Sequence, residues 1–118
     1  MRPLSEFKSV YLHRDVVDFR KSINGLTVIV EQGMALSPFD SALFVFCNKR
    51  RDKIKILYWD KTGFCLWYKR LEQDKFKWPK KSQDEVVTLS TEQMDWLLRG
   101  FDIAKLKAHS PKNYGALT

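Results

Sequence analysis

Apolar residues recur along this chain in two different periods, and the change between them marks where helix gives way to sheet. Phe19, Ile23, Leu26 and Val30 follow one another at intervals of four, three and four, which lines them up on one side of a helix. The pattern predicts a helix between Asp15 and Gly33, with Asp18 as N-cap, Arg20 and Lys21 in the first turn, and Gly33 as the stop. Asn24-Gly25 weakens it, because glycine inside a helix costs about 1 kcal/mol relative to alanine. Val10-Tyr11-Leu12 predicts a short strand before this helix, and Met34 to Asp40, with Ser37-Pro38, a loop after it.

From Ala42 the period becomes that of a sheet. Ala42 to Cys47 is apolar on both alternations, the mark of a strand covered on both faces and therefore central. After a polar turn, Asn48 to Asp52, the runs Lys53–Asp60 and Phe64–Leu71 read as two further strands. Asp60-Lys61-Thr62-Gly63 between them predicts a hairpin turn with Gly63 at positive φ and Asp60 opposite Phe64. Counting outward, one face carries Ile54, Ile56, Tyr58, Phe64, Leu66 and Tyr68, with Arg70 at the rim. The other carries Lys53, Lys55, Leu57, Trp59, Cys65, Trp67 and Lys69, with Lys55 opposite Lys69 and Leu57 opposite Trp67. Two lysines so placed repel unless an anion lies between them.

Phe76 to Trp78 predicts a short strand ended by Pro79, and Val86 to Leu89 an edge strand. A helix from Thr91 to Arg99 is well signalled: Ser90 and Gln93 have capping-box spacing, Leu89 and Met94 form a staple, and Gly100 stops it. A short helix from Asp102 to His109 and a mobile tail from Ser110 to Thr118 complete the expectation. The fold class is α+β: an antiparallel sheet of about four strands from Ala42 onward, packed against the N-terminal helix, with a further C-terminal helix, in one domain spanning 1–109.

Composition narrows the class. The 118 residues, 44% hydrophobic and 30% charged, suit one small globular domain. The longest apolar run, Ala42 to Cys47, is far too short for a membrane span, and the N-terminus lacks the apolar segment of a secretory signal. Two separated cysteines, Cys47 and Cys65, make no disulfide framework, so the expectation is a cytoplasmic protein with no membrane partner.

Charge changes the picture more. The net charge is +7, yet Lys49 to Lys81 alone holds 12 basic and 4 acidic residues, so the whole excess lies in that stretch. The same stretch contains Tyr58, Trp59, Phe64, Trp67, Tyr68, Phe76 and Trp78. Interleaved cations and rings suit a nucleic-acid surface, with charge for phosphate and flat rings for bases. They equally suit a solvated sheet face over core aromatics. On the first reading Lys49, Arg50, Arg51, Lys53, Lys55, Lys69 and Arg70 contact phosphate, Arg20 and Lys21 assist, and Trp59 and Trp67 contact base or sugar.

Catalytic and metal signals are weak. Cys47, Cys65, His13 and His109 lack zinc spacing, and the five glycines form no phosphate loop. A two-metal nuclease needs about three converging carboxylates. Asp15 and Asp18, Asp52 and Asp60, and Asp84-Glu85 instead sit where acids support helix starts and turns. No cofactor, metal or enzymatic activity is expected.

Three segments, in order, carry a resemblance: Val17-Asp18-Phe19-Arg20-Lys21-Ser22-Ile23-Asn24-Gly25-Leu26; Leu43 to Asp60, containing Asn48-Lys49-Arg50-Arg51-Asp52-Lys53; and Gly63 to Leu71 followed by Phe76-Lys77-Trp78-Pro79. Together they resemble the small accessory proteins, called TnpB, of the insertion-sequence 66 family of bacterial transposable elements, over about Val10 to Phe101. The resemblance implies a role in DNA transposition beside a separate transposase that carries the acidic-triad chemistry, and it brings no catalytic residues. Two functions follow as expectations. One is a non-enzymatic factor binding DNA, either element ends or target, while assisting the transposase of the same element. The other is a subunit that binds the transposase without touching DNA, its aromatics serving as interface anchors.

Overall fold

The computed structural model describes residues 3–79 and 85–103. Most of the expected helix Asp102–His109 and all of the tail Ser110–Thr118 lie outside them. Five strands, β1 (Ser9–His13), β2 (Ala42–Cys47), β3 (Lys53–Asp60), β4 (Gly63–Arg70) and β5 (Val86–Leu89), form one sheet in the order β4-β3-β2-β1-β5. The sheet is mixed, not wholly antiparallel: β1 runs parallel to β2, with Val10 beside Leu43, whereas β2–β3, β3–β4 and β1–β5 are antiparallel. The physical reason is the long connection from residue 14 to 41, which crosses over a helix and returns the chain in the same direction. With β1 and β3 on either side, every residue of β2 is buried, as its unbroken apolar run requires.

The N-terminal helix is shorter than its apolar spacing indicates. α1 spans Ile23–Val28 and continues into a π-helical turn, Ile29–Gly33, in which the Met34 N–H donates to the Ile29 carbonyl at 2.9 Å. Ser22, not Asp18, is the N-cap, and Arg20 and Lys21 precede the helix. Asp18 is engaged elsewhere: its carboxylate accepts from the Arg20 backbone N–H at 2.9 Å and from the Arg20 guanidinium at 2.6–3.1 Å. A turn closed from Lys21 N–H to the Asp18 carbonyl therefore stands where the first helical turn was expected.

The β3–β4 hairpin also departs from expectation, by one residue. Asp60 pairs with Gly63 across a two-residue turn, so Lys55 faces Tyr68, Ile56 faces Trp67 and Leu57 faces Leu66. Lys61 takes the left-handed conformation (φ 54°) expected at Gly63, which leaves Gly63 free to extend β4. A shift of one residue exchanges the faces of a strand. Trp67 and Cys65 thus lie with Ile54, Ile56 and Tyr58, while Phe64, Leu66 and Tyr68 lie with Lys55, Leu57 and Trp59. Lys55 and Lys69 point to opposite faces, and the expected pair of facing lysines does not form.

Both faces of the sheet are covered. On one, Leu26, Val30 and Met34 from α1 and its π turn meet Phe44, Phe46 and Leu57, with Val17 beside them. On the other, Met94 and Leu97 of α2 (Thr91–Leu98) meet Val10, Leu12, Val45, Ile54 and Ile56. Each fully buried side chain of this size contributes about 1.5–3 kcal/mol. The Ser90–Gln93 capping box forms in both directions, at 3.0 and 2.9 Å, and Gly100 ends α2 at φ +87°. Phe76 and Trp78 belong to no strand. They are core plugs on the α2 side, and the Trp78 indole N–H donates to the carbonyls of Arg14 (2.9 Å) and His13 (3.3 Å).

Candidate nucleic-acid interface

One end of the sheet gathers most of the net positive charge. There β1 and β2 finish, β3 and β5 begin and β4 finishes. The segments that meet are 14–21, 48–53 and 70–77, which together hold ten cationic and five acidic side chains. The loop from Asn48 to Asp52 forms the tip, and its shape is set by a buried asparagine. The Asn48 side chain donates to the Asp52 carboxylate at 2.7 Å and accepts from the Lys53 N–H at 3.0 Å. The Arg51 N–H donates to the Asn48 carbonyl at 3.0 Å, with Arg51 in the left-handed region at φ 60°. Locked this way, the loop exposes Lys49 and Arg50 at its crest. Asn48 chiefly, through its hydrogen bond, lowers the pKa of Asp52 and keeps it ionised.

Four of the five acids in these segments are ion-paired. Arg20 forks onto Asp18, Arg70 reaches Glu72 at 2.8 Å, and the looser pairs Arg14–Asp15 and Lys77–Asp74 stand at 3.6 Å. The Arg20 hydrogen bond holds the Asp18 carboxyl down at about 2. Among the described residues Lys21, Lys49, Arg50 and Lys53 join no ion pair, so their charge is available to an anion. Arg51 is half-buried, and its Nε has no hydrogen-bond partner among the described residues.

Other residues expected at the interface are placed elsewhere or used internally. The Lys55 ammonium donates to the carbonyls of Phe19 and Lys21, both at 2.8 Å, and lies 4.8 Å from the centre of the Phe19 ring. Burial lowers its pKa, and the Asp18 charge opposes that shift. Lys69 donates to the Leu98 carbonyl at 2.8 Å, at the C-terminus of α2, where a cation complements the helix dipole. Trp67 packs into the α2-side core. Trp59 sits at the opposite end of the sheet, six residues along β3 from Lys53 and so roughly 20 Å away. It meets Phe39 and Phe64 there, both at 5.0 Å.

The aromatic that does stand with the cations is Tyr68, which belongs to the basic–aromatic stretch and to the strand face ending at Arg70 but is not among the base or sugar contacts expected from the sequence, Trp59 and Trp67. It is 48% exposed, on the same face as Lys53 and Arg70, and its ring lies 6.4 Å from Phe19. Its position directly before Lys69-Arg70 was the available signal. A shallow groove beside it, between Val16–Phe19 and Asn48–Arg50, gives the basic crest an apolar wall. Among the described residues, no three His, Cys, Asp or Glu side chains come together as a metal site, and no helix is long and apolar enough to cross a membrane.

A small mixed sheet covered on both faces thus carries a basic loop at one end. The chain belongs to the IS66 Orf2-like family of transposable-element proteins, whose family model (TnpB_IS66, IS66 Orf2 like protein) matches residues 8–108. It is 36% identical over 91 residues to the uncharacterized protein y4jC of Sinorhizobium fredii (strain NBRC 101917 / NGR234), covering 77% of each chain. It is 30% identical over 102 residues to y4hO of the same strain, covering 86% of this chain and 88% of that one. No solved structure matches it. Family membership associates the protein with transposition, in an accessory capacity.

Proposed function

We propose that this protein is a non-enzymatic DNA-binding accessory of transposition, holding element ends or target DNA through the basic end of its sheet while a separate transposase performs the chemistry. One observation carries the reading: cations outside any ion pair, Lys49, Arg50, Lys53 and Lys21, lie at the same end of the sheet as an exposed Tyr68, while four of the five acids in those segments, Asp15, Asp18, Glu72 and Asp74, are each held by another cation. Unpaired cations on a rigid loop give up little when they meet phosphate, because no existing ion pair has to break. Tyr68 offers a ring for sugar or base.

The test is fluorescence anisotropy with duplexes carrying either a terminal inverted repeat or a scrambled sequence, titrated at several salt concentrations. Log affinity is expected to fall linearly with log salt, and Lys49→Ala and Arg50→Ala each to flatten the slope by about 1. Absence of binding at low salt overturns the reading. The alternative, a transposase-binding subunit, is favoured by a different feature: the Phe39–Trp59–Phe64 cluster at the far end, where Phe39 is 58% exposed. Co-purification with transposase that survives nuclease and high salt, and is lost in Phe39→Ala, supports that reading.

A further inference from the structure

β4 is the outermost strand on one side of the sheet, and no described strand pairs with its outer edge. Natural proteins blunt an edge of such length with a proline, a bulge or charges spread along it. Gly63–Arg70 has no proline, and its pairing with β3 runs unbroken through all eight residues. Its only charges, Lys69 and Arg70, lie at one end, and Lys69 is turned back onto the Leu98 carbonyl.

The two ends of this edge expose unlike surfaces on the same face. At the Gly63 end, Phe64 carries Phe39 at 5.3 Å, and Phe39 is 58% exposed. At the Arg70 end stand Tyr68, 48% exposed, and Arg70. We propose that β4 is a self-complementary edge through which two copies of this chain join their sheets antiparallel, about a two-fold axis perpendicular to the sheet near Leu66–Trp67. Such an axis keeps the α1 side of both copies on one face and sets the Phe39–Phe64 end of each against the Tyr68–Arg70 end of the other. With the axis at Leu66, Phe64 lies across from Tyr68 of the other copy; with the axis at Trp67, Phe64 lies across from Arg70. The first is an aromatic pair and the second a cation over a ring. In both registers Lys69 and Arg70 lie across from residues 62–65, so like charges never meet. A strand from an unrelated protein satisfies the same main-chain groups but matches both ends only by coincidence. A second copy matches them by symmetry, twice. This inference does not depend on DNA binding.

The experiment is sedimentation equilibrium of the full chain between about 1 and 100 μM, with hydrogen exchange read by mass spectrometry at both limits. A monomer–dimer equilibrium is expected, with the amides of 63–70 exchanging several-fold more slowly at the high concentration. Phe39→Lys and Tyr68→Lys, at exposed positions, are each expected to weaken the dimer at least about tenfold while leaving the circular dichroism of the dilute protein unchanged. A monomer at every concentration overturns the proposal. So does a dimer in which the 63–70 amides exchange at the same rate at both limits, which locates the interface elsewhere.

Discussion

Replacing Lys55 by methionine separates two roles that a basic residue in a basic stretch can have. Its ammonium ties the 18–21 turn to β3 through the carbonyls of Phe19 and Lys21, both at 2.8 Å, and rests 4.8 Å from the Phe19 ring centre. A hydrogen bond from a charged donor contributes about 1.5–3 kcal/mol, and a cation–ring contact about 0.5–1 kcal/mol at an exposed site. Two terms reduce the sum. The Lys21 residue is exposed, so water replaces one of the bonds, and burial disfavours the charged ammonium. Methionine keeps most of the aliphatic stem. The net expectation is a loss of about 2 kcal/mol, which lowers the melting temperature of a domain near this size by roughly 10 °C. Thermal and denaturant unfolding by circular dichroism measure it. The salt slope of DNA binding is expected to stay that of the wild type, because this ammonium is turned inward. A melting temperature unchanged within error refutes the clamp, and a flattened slope with unchanged stability shows that Lys55 meets phosphate after all.

Three further outcomes are expected. Ser90→Ala removes the capping bond to Gln93 and is expected to cost about 1 kcal/mol in urea unfolding; a loss below about 0.3 kcal/mol rejects the cap as a contributor. The Asp18 carboxyl, held at about 2 chiefly by its hydrogen bond from Arg20, titrates below the ordinary 3.8 by NMR and returns toward it in Arg20→Ala. Because the folded value is depressed, its stabilisation is present above about pH 4 and fades toward pH 2, and salt weakens it at this exposed site. Cys47, whose thiol burial pushes up to about 12, is expected to resist a thiol reagent at pH 8 that labels the partly exposed Cys65. Its contribution is complete below pH 9 and lost as pH rises toward 12, and equal labelling rates for the two thiols contradict the burial.

Local interactions were readable from the sequence, and longer-range ones were not. The unbroken apolar run of β2 requires cover on both faces, so its central place follows from composition alone. The Ser90–Gln93 box and Gly100 act within a few residues, so α2 and its limits follow as well. Residues 65–67 are apolar on both alternations, so no hydrophobic pattern distinguishes the two hairpin registers. The left-handed Lys61 decided that choice, and with it which face each tryptophan occupies. The parallel seat of β1 beside β2 depends on a crossover whose direction no local pattern encodes. Cations and rings interleaved along the chain were parted in space, because alternate residues of a strand leave by opposite faces and a strand of eight residues carries its ends far apart. Sequence fixed how much positive charge there is and in which segment it lies. Tertiary structure decided which cations were consumed by carbonyls and carboxylates, leaving Lys49 and Arg50 at the crest of the loop with Tyr68 among the cations at that end of the sheet.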